Sequence, residues 1–167
     1  MARAAPCDVP NRLAPSQTDR IRVLLVDDSL VARTVMSRIL EADTAFEVVA
    51  SVSSAHGALD VIRREKIDIV LLDLDMPGMG GREFLPRLLA ERPGMPVLIV
   101  SANVDADAAA AVDALALGAA DVLHKPSAGE LHGPFAERLT RSAARIAQGR
   151  RASSPAMLRS AGNRHMA

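Results

Sequence analysis

The chain has 167 residues, 49% of them hydrophobic, so it can bury one sizeable core and is expected to form a single compact domain. Lys plus Arg and Asp plus Glu number 20 each, and this balance provides no overall field that would attract nucleic acid or an anionic membrane. Aromatic residues make up only 2% of the chain, with neither Trp nor Tyr, which argues against base stacking and aromatic ligand cages.

The first twenty residues are predicted to form a flexible leader. They contain Cys7, the single cysteine of the chain, so neither an internal disulfide nor a thiolate metal site is expected. They also lack the apolar stretch of a signal peptide, and no later apolar run is long enough to cross a membrane. These features together favour a cytoplasmic protein that does not contact a membrane.

Strands and helices are predicted to alternate from residue 21 onward. "IRVLLV" (21–26) is typical of a strand, and the four-residue spacing of Val31, Val35 and Ile39 indicates a helix that Ser29 caps. Pro86 is expected either to kink the third helix or to lie in its first turn. The remaining predicted strands are 46–52, 67–73, 96–102 and 120–124, and the remaining helices are 55–66, 81–94, 105–117 and a last one carrying Leu131, Phe135, Leu139 and Ile146.

This alternation predicts an α/β fold with a doubly wound, five-stranded parallel sheet flanked by five helices. Parallel neighbours need crossover connections, which right-handed βα units supply. The continuous apolar runs "IVLL" and "VLIV" suit central strands that are buried on both faces. The domain is expected to span residues 21–148. Residues 149–167, which contain four arginines and no acid, are expected to form a flexible basic tail.

Charged and polar side chains follow the predicted strands at their carboxyl ends. Asp27 and Asp28 end the first strand, Asp73 the third and Ser101 the fourth, and Lys125 follows the fifth. Ligands of open α/β sheets bind beyond these strand ends. Crowded carboxylates need a cation, and hard oxygen ligands favour Mg²⁺. An ammonium and a hydroxyl beside them suit a phosphoryl group, and a carboxylate such as Asp73 can attack phosphorus.

Four segments, "VLLVDDS", "IVLLDLDMPGMGG", "PVLIVSA" and "DVLHKPS", resemble the receiver domain of two-component response regulators. The resemblance covers about residues 21–148 and implies the flavodoxin-like receiver fold. Because of "ALGAADVLHKP", the sequence is most similar to the receiver domain of the chemotaxis methylesterase. A chemotaxis-like signalling role is therefore implied.

The resemblance also implies the roles of the acidic residues. Asp73 would accept a phosphoryl group from a histidine kinase and form an acyl phosphate. Asp28 and Asp73, with the backbone carbonyl of Asp75, would ligate Mg²⁺, while Asp27 would act through a bound water. The side chain of Asp75 would overhang the phosphoryl site, and we expect it to influence the lifetime of the acyl phosphate.

Further implied roles concern the residues that surround the phosphoryl group. Lys125 would pair with phosphoryl oxygens, and Ser101 would bond one of them after phosphorylation. The Lys125–Pro126 peptide bond is usually cis in the family, but the sequence alone does not show which isomer this chain has. Most receivers have Tyr or Phe where this chain has Val122. Because valine is stiff at χ1 and carries no ring, we expect the phosphorylation signal to act instead through the loop after Ser101 and the Ala-rich fourth helix.

Two alternatives remain open at this point. "LLDLDMP" also resembles the nucleophile strand of haloacid-dehalogenase-type phosphatases, with Asp73 attacking and Asp75 as general acid. Against this, Pro77 stands where that family has Thr or Val, and two βα units precede the strand. The other alternative is an inert scaffold that has lost phosphorylation, but crowded acids have no evident structural benefit.

The expected partners are a histidine kinase and an unknown downstream protein, and the chain is expected to be a monomer or a weak homodimer. Residues 126–167 are too few for a methylesterase domain, and no "GxSxG" context occurs. The sequence therefore predicts a phosphoacceptor module rather than an enzyme, either as a stand-alone receiver or as a domain cut from a longer protein.

Overall fold

Five parallel strands form one sheet in the computed structural model of this chain, which describes residues 19–102, 108–127 and 130–153. The strand order is β2-β1-β3-β4-β5, so β3 lies at the centre. The predicted five-stranded parallel sheet with flanking helices is thereby confirmed. The strands are β1 (Ile21–Val26), β2 (Phe46–Val52), β3 (Ile69–Leu72), β4 (Val97–Ser101) and β5 (Asp121–His124).

Helices cover both faces of the sheet because successive strand residues point to opposite sides. Val23 and Leu25 join the core under α1 and α5, whereas Leu24 and Val26 join the core under α2 and α3. No helix among the described residues is both long enough and apolar enough to cross a bilayer. The helices are α1 (Leu30–Glu41), α2 (Ala55–Arg64), α3 (Gly81–Glu91), α4 (Ala108–Ala116) and α5 (Pro134–Ser153).

The central strands are the most deeply buried elements. Every residue of β3 and β4 is buried, while β2, at the edge of the sheet, is mostly half-buried. Strands that have neighbours on both sides and helices on both faces lose all contact with water. The continuous apolar runs therefore identify the strands that lead into the candidate site.

Serine side chains cap the N-termini of the first two helices. The Ser29 hydroxyl accepts a hydrogen bond from the Ala32 N–H at 3.3 Å, which confirms the predicted cap of α1. The Ser54 hydroxyl accepts from the Gly57 N–H at 3.2 Å and caps α2 in the same way. Pro86 lies inside α3, and the helix continues past it to Glu91. The expectation that Pro86 marks the first turn of α3 is therefore wrong.

The last helix differs from the sequence-based prediction at both ends. Leu131, expected on this helix, is buried just before it, and α5 continues to Ser153 rather than ending near residue 148. Ala147 is buried one turn before Arg151, whose guanidinium donates to the carbonyls of Asp19 and Arg20 at 2.9 and 2.7 Å. These bonds join the final turns of α5 to the chain just before β1, so residues 149–153 belong to the last helix rather than to the predicted tail. Residues 1–18 and 154–167 lie outside the described part of the chain.

Candidate functional site

Main-chain hydrogen bonds bring the predicted site residues together at the carboxyl edge of the sheet. The N–H of Asp73 donates to the carbonyl of Val26 at 2.9 Å, and the N–H of Lys125 donates to the carbonyl of Ser101 at 2.9 Å. The parallel hydrogen-bond ladder thus continues one residue beyond the strands. Because these bonds fix the backbone at each strand end, the side chains leave the sheet from defined positions.

Lys125 bridges two buried carboxylates. Its ammonium lies 2.7 Å from Asp27 Oδ2 and 3.0 Å from Asp73 Oδ2. Asp27 is 1% exposed, Asp73 4% and Lys125 9%, so the three charges interact with little screening by water. A buried cation between two anions satisfies both, and it leaves this group of three with one uncompensated negative charge.

The pKa values of Asp73 and Lys125 are both raised, but by different physical causes. Burial raises the pKa of Asp73; the ammonium of Lys125 opposes that rise, while the charge of Asp27 adds to it. Burial would lower the pKa of Lys125, but hydrogen bonds and the charges of Asp27 and Asp73 raise it above its ordinary value. One ammonium serves two carboxylates, so the cation is held firmly while the anions are only partly neutralised.

Asp28 completes a group of three carboxylates. Carboxylate oxygens of Asp27, Asp28 and Asp73 all lie within 4.8 Å of one another, and Asp28 is exposed to solvent whereas the other two are buried. This donor set fits Mg²⁺, which prefers hard oxygen ligands and keeps several of its waters. The predicted contribution of the Asp75 backbone carbonyl stays a prediction.

Two contacts hold Asp27 in a fixed orientation. Its Oδ1 accepts from the Ser29 N–H at 2.8 Å, and its backbone carbonyl accepts from Arg33 Nη1 at 2.6 Å. Arg33 was not among the predicted site residues. The signal that could have indicated Arg33 is a basic residue near the start of a helix that directly follows two acids.

Asp75 contacts both the acceptor and the hydroxyl of the site. Its backbone N–H donates to Asp73 Oδ1 at 3.3 Å, and its carboxylate Oδ2 accepts from the Ser101 hydroxyl at 3.0 Å. Ser101 is 2% exposed, whereas Asp75 is exposed. The sequence placed the side chain of Asp75 near the site, but the contact with Ser101 was not predicted. An influence of Asp75 on the acyl-phosphate lifetime stays a prediction.

Gly81 allows α3 to begin directly against the acceptor strand. A Cβ atom at this position would overlap the backbone carbonyl of Asp73 and lie 2.8 Å from Leu74 Cα. The Gly81 N–H also donates to the carbonyl of Leu74 at 3.1 Å. The last glycine of the "PGMGG" segment is therefore needed for a close backbone approach.

The Lys125–Pro126 peptide bond is trans, so the cis isomer that the sequence left possible does not occur in this structure. The trans isomer is the intrinsically preferred form of such a bond, and Lys125 reaches both carboxylates with it. Val122 is half-buried and packs against the core beneath α2 and α3. Residues 103–107, which include the predicted responsive loop, lie outside the described residues.

Comparison with known proteins gives one consistent family. The family model described as "Response regulator receiver domain" matches residues 23–133. A protein-glutamate methylesterase/protein-glutamine glutaminase of Paramagnetospirillum magneticum is 49% identical over 84 residues, covering 50% of this chain and 22% of that protein. A methylesterase/glutaminase of the same description from Cereibacter sphaeroides is 45% identical over 89 residues, covering 53% of this chain and 24% of that protein. The matched region thus spans about a quarter of the length of these relatives.

Solved structures show the same fold. The response regulator domain of Thermotoga maritima CheB superposes with a TM-score of 0.69 at 28% identity, covering 77% of this chain and 97% of that one. A CheY chain in a CheX–CheY–BeF₃–Mg²⁺ complex from Borrelia burgdorferi gives a TM-score of 0.63 at 26% identity, covering 73% and 86%. The family model covers the whole site from Asp27 to Lys125.

Proposed function

Because this chain belongs to the response regulator receiver domain family, we propose that Asp73 accepts a phosphoryl group from a histidine kinase in a magnesium-dependent reaction. The observation that carries this proposal is the Lys125 ammonium bonded to both Asp27 and Asp73 at one rim of the sheet. A buried lysine beside an acidic cluster has little structural benefit, because buried ion pairs are weak stabilisers. The same arrangement suits a site that receives added negative charge.

In the proposed reaction a carboxylate oxygen of Asp73 forms a bond to phosphorus. The bond between phosphorus and the imidazole nitrogen of the donor histidine breaks, and the electron pair of that bond stays on the nitrogen. The ammonium of Lys125, which now neutralises Asp73, is within reach of the oxygens of the transferred group. Ser101 would donate to one of these oxygens.

The proposed magnesium site uses Asp28, Asp73 and the Asp75 carbonyl as direct ligands, with Asp27 acting through a water. When bound, Mg²⁺ neutralises charge on the phosphoryl oxygens. Support comes from the three carboxylates that lie within 4.8 Å of one another and from the negative charge that Lys125 leaves uncompensated.

The proposed output is phosphorylation-dependent binding to a protein target in a chemotaxis-like, cytoplasmic pathway. Methylesterase relatives that match this chain through their receiver region support the pathway class. For the binding surface we favour α4, because Val112, Leu115 and Leu117 at this helix and just beyond it are 64%, 46% and 39% exposed. Exposed apolar side chains of this kind often mark protein contacts.

The test is labelling of purified protein by acetyl phosphate with and without Mg²⁺, followed by mass spectrometry. We expect one phosphoryl group per chain, located at Asp73, dependent on Mg²⁺ and absent in Asp73→Asn. Sustained hydrolysis of phosphomonoesters would instead support the phosphatase alternative. Absence of labelling in a folded protein would support the inert scaffold.

A further inference from the structure

Four residues of the site form a closed ring of hydrogen bonds. Lys125 Nζ donates to Asp73 Oδ2, and the Asp75 N–H donates to Asp73 Oδ1. The ring closes on the other side, where the Ser101 hydroxyl donates to Asp75 Oδ2 and the Lys125 N–H donates to the Ser101 carbonyl. Asp75 therefore connects the acceptor aspartate to the hydroxyl of Ser101, while Lys125 connects Asp73 to the backbone of the same serine.

The bond between Ser101 and Asp75 competes with the role proposed for Ser101. A serine hydroxyl has one proton, so while it donates to Asp75 Oδ2 at 3.0 Å it cannot also donate to a phosphoryl oxygen. Hydrogen bonds to an ionised acceptor are stronger than those between neutral groups. The resting arrangement thus has to be broken before Ser101 can bind the phosphoryl group.

We propose that Asp75 is a positioning residue that holds the Ser101 hydroxyl in its resting orientation and releases it when Asp73 is phosphorylated. This inference rests on the proposed function. It adds a second role for the Asp75 side chain, control of Ser101, to its predicted influence on the acyl-phosphate lifetime. The released serine then bonds the phosphoryl group, so loss of one contact and gain of the other are linked.

Burial decides which partner moves. Asp75 is exposed, so water can hydrate its carboxylate after it turns away, whereas Ser101 is 2% exposed and its hydroxyl stays buried. Asp75 lies next to Asp73, because its N–H donates to the Asp73 carboxylate. A phosphoryl group on Asp73 adds negative charge there, and this charge repels the carboxylate of Asp75. Once Asp75 has turned away, the buried hydroxyl can donate to the phosphoryl oxygens instead.

The test is binding of beryllofluoride, a non-covalent phosphoryl mimic, to the full chain at saturating Mg²⁺, followed by ¹⁹F NMR. Asp75→Ala removes the acceptor that competes for the Ser101 hydroxyl. We expect it to tighten beryllofluoride binding about three- to tenfold, which is the effect of losing a charge-assisted hydrogen bond that is weakened by partial exposure to water. Asp75→Asn keeps a neutral acceptor and should fall between Asp75→Ala and the wild type. Asp60→Ala, which removes another partly exposed acid far from Ser101, should leave the affinity unchanged.

A double-mutant comparison separates release of Ser101 from simple charge repulsion. In a Ser101→Ala background no hydroxyl can be held, so adding Asp75→Ala should change the beryllofluoride affinity less than twofold. If Asp75→Ala tightens beryllofluoride binding equally in the wild-type and Ser101→Ala backgrounds, only the charge of Asp75 matters and the proposal is overturned. The proposal is also overturned if Asp75→Ala does not tighten binding while Ser101 is present. If the wild type binds no beryllofluoride and Asp73 is not labelled, the proposed function fails and this inference fails with it.

Discussion

Replacement of Lys125 by methionine tests the electrostatics of the site most directly. Methionine keeps an unbranched apolar side chain but removes the ammonium that both Asp27 and Asp73 bind. The variant retains two neighbouring carboxylates that are 1% and 4% exposed and have lost their cation. We expect a marked loss of stability in metal-free buffer.

The size of this loss follows from the burial of the two carboxylates. Removal of one partner from a buried ion pair costs about 3–5 kcal/mol, because the remaining charge is left without compensation. For a domain of this size the corresponding fall in melting temperature is roughly 10–20 °C. An acid whose pKa is higher in the folded than in the unfolded state destabilises the fold as pH rises through that pKa. Since burial already raises the pKa of Asp73, the loss should be largest near neutral pH and smaller in acid.

Thermal unfolding followed by circular dichroism is the appropriate assay, because the chain has no Trp or Tyr for fluorescence. Measurements with EDTA at several pH values compare wild type, Lys125→Met and Lys66→Met. Lys66 is the other lysine of the chain and is exposed, so its replacement should leave the melting temperature nearly unchanged. Equal melting temperatures for wild type and Lys125→Met across the pH range would refute the reasoning.

Three further predictions follow from single contacts. Asp73→Asn should raise the free energy of unfolding at neutral pH in EDTA, because the raised pKa of Asp73 reflects a penalty on its ionised form. Denaturant titrations should show that this gain in the free energy of unfolding becomes smaller in acid. Gly81→Ala should lower the melting temperature and slow labelling by acetyl phosphate several-fold, since the added Cβ would overlap the Asp73 carbonyl. Gly149→Ala is the matched control, because a Cβ at this helical position meets no other atom, and it should stabilise the protein by about 0.5–1 kcal/mol. Arg151→Ala should speed hydrogen exchange in the last turn of α5 and leave labelling unchanged, because its contacts lie at the opposite edge of the sheet; slower labelling would contradict this.

The sequence predicted those parts of the fold that depend on local patterns. The apolar runs of β3 and β4 indicated buried central strands, and Ser29 before a helical repeat indicated the cap of α1. The end of α5 was missed because its last turns are polar, so no apolar repeat marks them. Their stability comes from Arg151, which bonds to carbonyls before β1, far away in the sequence.

The positions of the site residues were equally predictable, but their bonding was not. A parallel sheet must bring the carboxyl ends of its strands to one edge. Asp27, Asp73 and Lys125 were therefore expected together because each follows a predicted strand. The contact of Asp75 with Ser101 depends on the path of the loop after β3 and on side-chain rotamers, which short sequence patterns do not determine.

The amino-acid sequence by itself determined the layered architecture and the chemical groups at the site, because hydrophobic periodicity sets which elements form and the parallel sheet sets where they end. Only the tertiary structure decided how those groups share protons and charge. It placed one ammonium between two buried carboxylates, brought Gly81 against the acceptor backbone and gave Asp75 the hydroxyl of Ser101. Such contacts join residues distant in the chain over distances of about 3 Å, and at that scale packing rather than pattern selects the partner.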